Sequence, residues 1–362
     1  MITRIEIDGF KSFLSFDLDV PPFLALVGPN ASGKSNLFDA VGFVAAEIEG
    51  SGGLLGVTRG LPGDQFHRVA HGSAVPGFVV SVEALVAPEP GSVVPVRFDV
   101  GAEMVLKIPR SSGAVVSHAV QRIPEELLEL MVEDPDPEGT PRRTVQSWRR
   151  YAPSPAAMRR RCPSVDRGPL AADGANLAAV LGRMAGTGAL SDLAADLAGV
   201  VPDVIDLVPR VERGECSFDL RVDGQGAVPA ALLSDGTLRI LGLLTALHDP
   251  DHPGTLLVEE IENGVHPARL GELLRRVRRR ITVPGGPEPL RQLILTSQSP
   301  IVVAEVYRTE PDALTFLDTA VRVDPDNDRV SRVTVAKPIQ PDGEPGTFVS
   351  PRQVREYLGA AA

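Results

Sequence analysis

Phe23-Leu-Ala-Leu-Val27-Gly28-Pro29-Asn30-Ala31-Ser32-Gly33-Lys34-Ser35-Asn36 decides the fold. It satisfies G-x-x-x-x-G-K-[ST] in full. An apolar strand (23–27) leads in and an apolar, helix-periodic run (36–46) leads out, which is the context this loop requires. Glycines let such a backbone wrap a polyphosphate and aim its N–H groups inward. The helix that follows presents its positive end to the same anion. In this motif the lysine, here Lys34, reaches the β/γ-phosphates, and the Ser35 hydroxyl binds Mg²⁺.

A chain of 362 residues is long for one ordinary domain, so a core with an insertion, or two lobes, is expected. The net charge of −11 argues against a general polyanion binder, so any contact with DNA must come from local patches. Lysines occur only at 11, 34, 107 and 337, and the bias to Arg, Ala, Gly, Pro and Val reads as coding composition. Cys162 and Cys216 fit no metal spacing and read as free thiols of a reducing compartment. The opening Met-Ile-Thr-Arg-Ile-Glu-Ile is strand-like, and no run of 18 apolar residues exists. A soluble, cytoplasmic protein without a membrane partner is expected.

Residues 2–8 and 14–20 alternate apolar and polar and read as half-buried strands, joined by a turn at 9–12. A Gly-rich loop is expected at 49–63, then strands at 77–86, 93–100 and 102–108. Beyond 111 the pattern turns helical, at 125–132, 144–151, 155–161, 176–184 and 190–200, with a loop at 134–141. Strand character returns at 211–223. A buried helix from 233, a buried strand at 254–261, an amphipathic helix at 268–281 and a buried strand at 290–297 follow. The tail alternates short strands with polar turns and ends in a helix at 351–358. The division is an N-terminal lobe (1–110), a mostly helical insertion or lid (111–228) and a C-terminal lobe (229–362).

A phosphate loop needs an acidic partner at the end of a neighbouring buried strand. Leu256-Leu257-Val258-Glu259-Glu260 supplies two carboxylates that face different ways. Glu259 is assigned to the metal, and Glu260 to orienting or deprotonating the attacking water. The third element is Leu233-Ser234-Asp235-Gly236-Thr237. Ser234 is a helix N-cap candidate, and Gly236 leaves the helix start bare for a phosphate.

These stretches, with Leu295-Thr-Ser-Gln298-Ser-Pro300, the opening Ile2-Thr-Arg-Ile-Glu-Ile-Asp-Gly-Phe-Lys11-Ser-Phe and Asp173-Gly-Ala-Asn-Leu-Ala-Ala-Val-Leu181, resemble the ABC-class AAA ATPases of the RecF/SMC/OLD type. The match is closest to compact members associated with anti-phage defence. The resemblance implies an α/β P-loop NTPase fold with N-terminal antiparallel β elements. It implies that residues 28–36 cradle ATP, with Lys11 assigned to the same site. Ser234, Asp235, Gly236 and Thr237 form a signature that completes the site of a second subunit. Glu262-Asn263-Gly264 takes the position that crosses that interface, and His266 serves its turn structurally. Hydrolysis then implies a homodimer, or a higher homo-oligomer, around ATP–Mg²⁺.

The sequence departs from the family pattern in three places. Glu259 stands where Asp is usual. Gln298 stands where a His is usual; it can hydrogen-bond a γ-phosphate but cannot carry a proton, so slow turnover is expected. The glutamine of a further loop is either Gln65 or replaced by Arg59. Arg149–Arg150, Arg159–Arg161 and the arginines between 275 and 280 are the DNA-contact candidates, against a reading as solvated helix faces. No nuclease-like acidic constellation follows Gln298, so an effector on a separate chain is expected.

Overall fold

The computed structural model describes residues 1–50, 62–69, 74–87, 93–105, 114–122, 139–324 and 329–360. Arg59, the helix expected at 125–132 and most of the loops at 49–63 and 134–141 lie outside the described residues.

The central sheet has the order β15-β14-β3-β13-β12-β7. Its strands are β3 (Phe23–Val27), β7 (Trp148–Tyr151), β12 (Thr255–Val258), β13 (Gln292–Ser297), β14 (Leu314–Asp324) and β15 (Arg329–Pro338). All neighbours are parallel except β15 against β14. A parallel sheet covered on both faces reads as unbroken apolar runs, and β3, β12 and β13 are buried at every position. Their side chains alternate between two cores. Leu24, Leu26, Leu257 and Ile294 face one core with Phe10, Phe38 and Phe43. Phe23, Ala25, Leu256, Leu293 and Leu295 face the other.

The first core lies under an antiparallel sheet of order β2-β1-β4-β5-β6, where β1 is Ile2–Asp8, β2 Phe16–Asp19, β4 Gly77–Val86, β5 Val94–Val105 and β6 Ala114–Arg122. Helix α1 (Lys34–Glu49) fills the space between the two sheets with Leu37, Phe38, Val41, Phe43 and Val44. Burying each such side chain contributes about 1.5–3 kcal/mol. The strands expected at 93–100 and 102–108 are one strand, because Gly101 stays in the ladder opposite Val79.

The second core holds the helices that follow β7. These are α3 (Pro155–Met158), α4 (Leu177–Met184), α5 (Gly188–Val200), α6 (Asp235–His248), α7 (Pro267–Arg278) and α8 (Pro300–Thr309), whereas α2 (Gly139–Gln146) precedes β7 and packs on α1 with Val145 in the first core. Helix α9 (Pro351–Ala360) ends the described chain. A third sheet is built from β8 (Cys162–Pro163), β9 (Val204–Glu212), β10 (Glu215–Val222) and β11 (Gly226–Pro229), all antiparallel.

Among the described residues, segment 111–228 is mixed rather than mostly helical. It supplies β6 to the first sheet, β7 to the central sheet and the whole third sheet. The sharpest correction is 144–151. Trp148–Tyr151 is a strand because its backbone pairs in parallel with Thr255–Val258; no local helix pattern survives that pairing. Cys162 and Cys216, remote in sequence, face each other across β8 and β10 as free, buried thiols. Among the described residues no helix is long and apolar enough to cross a membrane.

Candidate functional site

The carboxyl ends of β3, β12 and β13 meet, which is where open α/β sheets hold ligands. The loop Gly28–Gly33 leaves β3 and turns into α1. Gly33 adopts φ +98°, and a Cβ there would lie 2.1 Å from Thr334 Oγ1 of β15, so the turn admits only glycine. Thr334 also donates to Ser32 O at 3.0 Å and to Ser12 Oγ at 2.8 Å, which fixes the loop from outside. The Lys34 ammonium curls inside the loop, donating to Gly28 O at 2.8 Å and Pro29 O at 2.7 Å. Burial lowers its pKa, opposed by the charges of Glu260 and Glu262.

Ser35 Oγ donates to Glu259 Oε2 at 2.9 Å, although 224 residues separate them. Both offer hard oxygen ligands of the kind Mg²⁺ takes, so the donor set fits the ion. Next to Glu259, Glu260 holds φ +47°, a costly conformation for a non-glycine residue. Its N–H donates to Thr296 Oγ1 at 3.0 Å, which pays part of that cost. Asn263 Nδ2 donates to Glu260 Oε2 at 2.6 Å, and Gln298 Nε2 to Oε1 at 3.1 Å. Gln298 Nε2 also reaches Asn30 Oδ1 at 2.7 Å, and its N–H donates to Glu262 Oε1 at 2.7 Å. The glutamine therefore bridges the phosphate loop to the second carboxylate.

Lys11 and Asn36 sit beside this site with partners of their own. Lys11 Nζ donates to the buried Asp39 Oδ2 at 2.6 Å, and Asn36 Nδ2 to Ser12 Oγ at 2.9 Å. With Ser12, Ser35, His67 and Arg332 they line a cleft of about 480 Å³. Gln65 is fully buried, and its carbonyl accepts from Lys11 N at 2.7 Å.

Sequence reasoning missed one site residue. Arg150, on β7, donates through Nη1 to Asp39 Oδ1 at 2.8 Å and through Nη2 to Glu259 Oε1. The only sequence signal was a pair of arginines in a segment read as helix. Most of the other flagged arginines also have partners within the chain. Arg149 donates to His252 O, Arg159 to Leu233 O and Asp235, and Arg161 faces Glu212 and Glu215. Arg275 and Arg276 bind Glu272, Arg280 binds Asp196, and Arg278 binds Glu310 while covering the Phe23 ring. Arg275 and Arg279 are exposed, so a solvated face remains on α7 beside these ion pairs.

The signature stretch is not joined to the loop by any described hydrogen bond. Ser234 caps α6, accepting from Thr237 N at 3.1 Å, and is exposed with Asp235. A Cβ on Gly236 would lie 2.2 Å from Gly264 O, so the helix start presses on the 262–264 turn. His266 caps α7 through Ala268 N at 3.2 Å. Leu232, two residues before Ser234, is 74% exposed.

Residues 23–304 match the family model described as "AAA domain, putative AbiEii toxin, Type IV TA system". The chromosome partition protein Smc of Methanocaldococcus jannaschii is 54% identical over 44 residues, 12% of this chain. Structural maintenance of chromosomes protein 1 of Arabidopsis thaliana is 49% identical over 45 residues, also 12% of this chain. The chain spans about 4% of the length of either relative. Two crystal structures share the fold over most of both chains. One is an Smc head bound to the C-terminal winged-helix domain of ScpA, with TM-score 0.56, 14% identity, and 92% and 98% of the two chains covered. The other is an Smc head with an extended coiled coil bound to the C-terminal domain of ScpA from Pyrococcus furiosus, with TM-score 0.55, 13% identity and 99% of each chain covered. The phosphate loop, the acidic strand end and the match over 282 residues place the chain in this AAA-domain family, with the ABC-class ATPase fold of the RecF/SMC type.

Proposed function

We propose that the chain binds ATP with Mg²⁺ and hydrolyses it as a homodimer, each signature completing the partner's site. Residues 28–36 would hold the phosphates, with Lys34 leaving its carbonyl partners for them. Ser35 and Glu259 would hold magnesium, which supplies charge neutralisation at the phosphates. Glu260, aimed by Asn263 and Gln298, orients the attacking water and takes its proton. Gln298 supplies an amide to the terminal phosphate but no proton, in line with slow turnover.

One observation carries this reading. Loop, carboxylates and glutamine converge within one chain, whereas Ser234 is exposed beside an uncovered Leu232. A binding module could have the first half alone; the second half calls for another surface. A sensor or motor role beside a separate effector is the reading we extend from the family description, which names a toxin–antitoxin system. A RecF-like role on DNA is less favoured, because most of the flagged arginines, Arg276, Arg278 and Arg280 among them, carry internal partners.

The test mixes two inactive chains. Lys34→Ala breaks the loop and Ser234→Arg breaks the signature. In a symmetric dimer their mixture forms one intact site per mixed pair, so roughly a quarter of wild-type phosphate release returns. No recovery from two folded, freely exchanging chains would contradict the shared site.

A further inference from the structure

We propose that Arg150 is the resident counter-ion of Glu259 and is exchanged for the metal ion when the site loads. This rests on Glu259 being the metal carboxylate, as proposed above.

The geometry builds the exchange from three facts. First, both Glu259 oxygens have protein donors: Oε2 takes the Ser35 hydroxyl at 2.9 Å, and Oε1 takes the Arg150 guanidinium. A dication entering between Ser35 and Glu259 must break the first bond and meets a positive charge at the second. Second, the guanidinium is forked. Its other nitrogen holds Asp39 Oδ1 at 2.8 Å, and Asp39 is only 2% exposed. Asp39 is held in turn by Lys11 at 2.6 Å, so it stays put when Glu259 is released. Arg150 can therefore let go of Glu259 without becoming an unpaired buried charge. Third, Arg150 is rigidly placed. It lies on β7 opposite Leu257 in the parallel ladder, two residues before Glu259 on the neighbouring strand.

The result is a site whose charge is balanced without the metal and rebalanced with it. It keeps Glu259 from capturing divalent cations before the nucleotide arrives. Trp148, the chain's single tryptophan, shares a cavity wall with Arg150 and Leu257 and reports on this strand.

The test uses nucleotide-free protein titrated with Mn²⁺, followed by electron paramagnetic resonance of the free ion. An opposing charge in direct contact shifts ionic equilibria by roughly tenfold or more. Arg150→Gln is therefore expected to bind Mn²⁺ about tenfold more tightly than wild type, and Arg150→Lys, which keeps the charge but loses the fork, to fall between. Equal or weaker binding by folded Arg150→Gln overturns the proposal. A second measurement needs no variant: Mg²⁺ with a non-hydrolysable ATP analogue is expected to shift Trp148 emission in wild type. A flat response with the analogue bound overturns it too. Neither readout involves turnover, and the Mn²⁺ titration of nucleotide-free protein does not involve pairing. Tighter Mn²⁺ binding without ATP-driven pairing sinks the dimer reading alone, and pairing without tighter Mn²⁺ binding sinks the exchange alone.

Discussion

The phosphate-loop end and the signature end of this molecule are built oppositely. At the first, polar side chains from distant parts of the sequence are tied to one another. Ser35 meets Glu259, Gln298 meets both Asn30 and Glu260, and Arg150 spans Asp39 and Glu259. At the second, the Ser234 hydroxyl bonds only within its own helix turn, to Thr237, next to an exposed leucine. One region is finished by the fold. The other is left exposed by the fold, and on the proposed reading its counterpart is a second copy of the chain.

That contrast can be broken at either end. Glu260→Gln keeps the size of the side chain and one of its two accepted amide contacts but removes the proton acceptor. Phosphate release should fall by about 10²–10⁴, the usual range for a general base, with ATP affinity retained. Turnover unchanged in a steady-state assay would remove Glu260 from the chemistry. Lys34→Ala removes a charged donor to the phosphates and should weaken ATP binding by roughly 10–100-fold. Calorimetry showing wild-type affinity would remove the loop from the account.

A third change sharpens the comparison by touching neither end. His248 Nε2 faces Asp196 Oδ2 at 2.8 Å in the junction of α5, α6 and α7, with Arg276 and Arg280 on the same carboxylate. Burial, then the charge of Arg280, pushes the His248 pKa down from 6.5 to about 4, against the pull of Asp196. Between those values the unfolded chain binds more protons than the folded one. Stability from this group is full above pH 6.5 and is lost as pH falls toward 4. The loss is on the order of 3 kcal/mol at most. His248→Gln should flatten that part of the melting-temperature profile while leaving ATP binding unchanged. An identical slope in the variant would refute the assignment.

The sequence exposed the first region well and the second only by resemblance. Phosphate loop, acidic strand and the Ser234 cap are local patterns, each a few residues long beside a regular element. What stayed hidden depended on pairing across the chain. Trp148-Arg-Arg-Tyr151 has the composition of a basic helix face and becomes a strand only because β12, about a hundred residues later, offers its edge. Arg150 was therefore read as a surface charge when it binds Asp39 and Glu259. Gln65 looked available and is fully buried. The ion pairs of Arg275, Arg276 and Arg278 were hidden because the partners Glu305, Asp196 and Glu310 sit on other segments. The β9–β11 sheet was half visible, since its turn at Arg213–Gly214 interrupts one alternating run rather than ending it.

The most direct measurement is the solution mass of Glu260→Gln by light scattering, with and without Mg²⁺–ATP. The chain should run near its own 38.4 kDa without nucleotide and at twice that mass with it. A variant that holds ATP and stays at the single-chain mass would contradict the shared site.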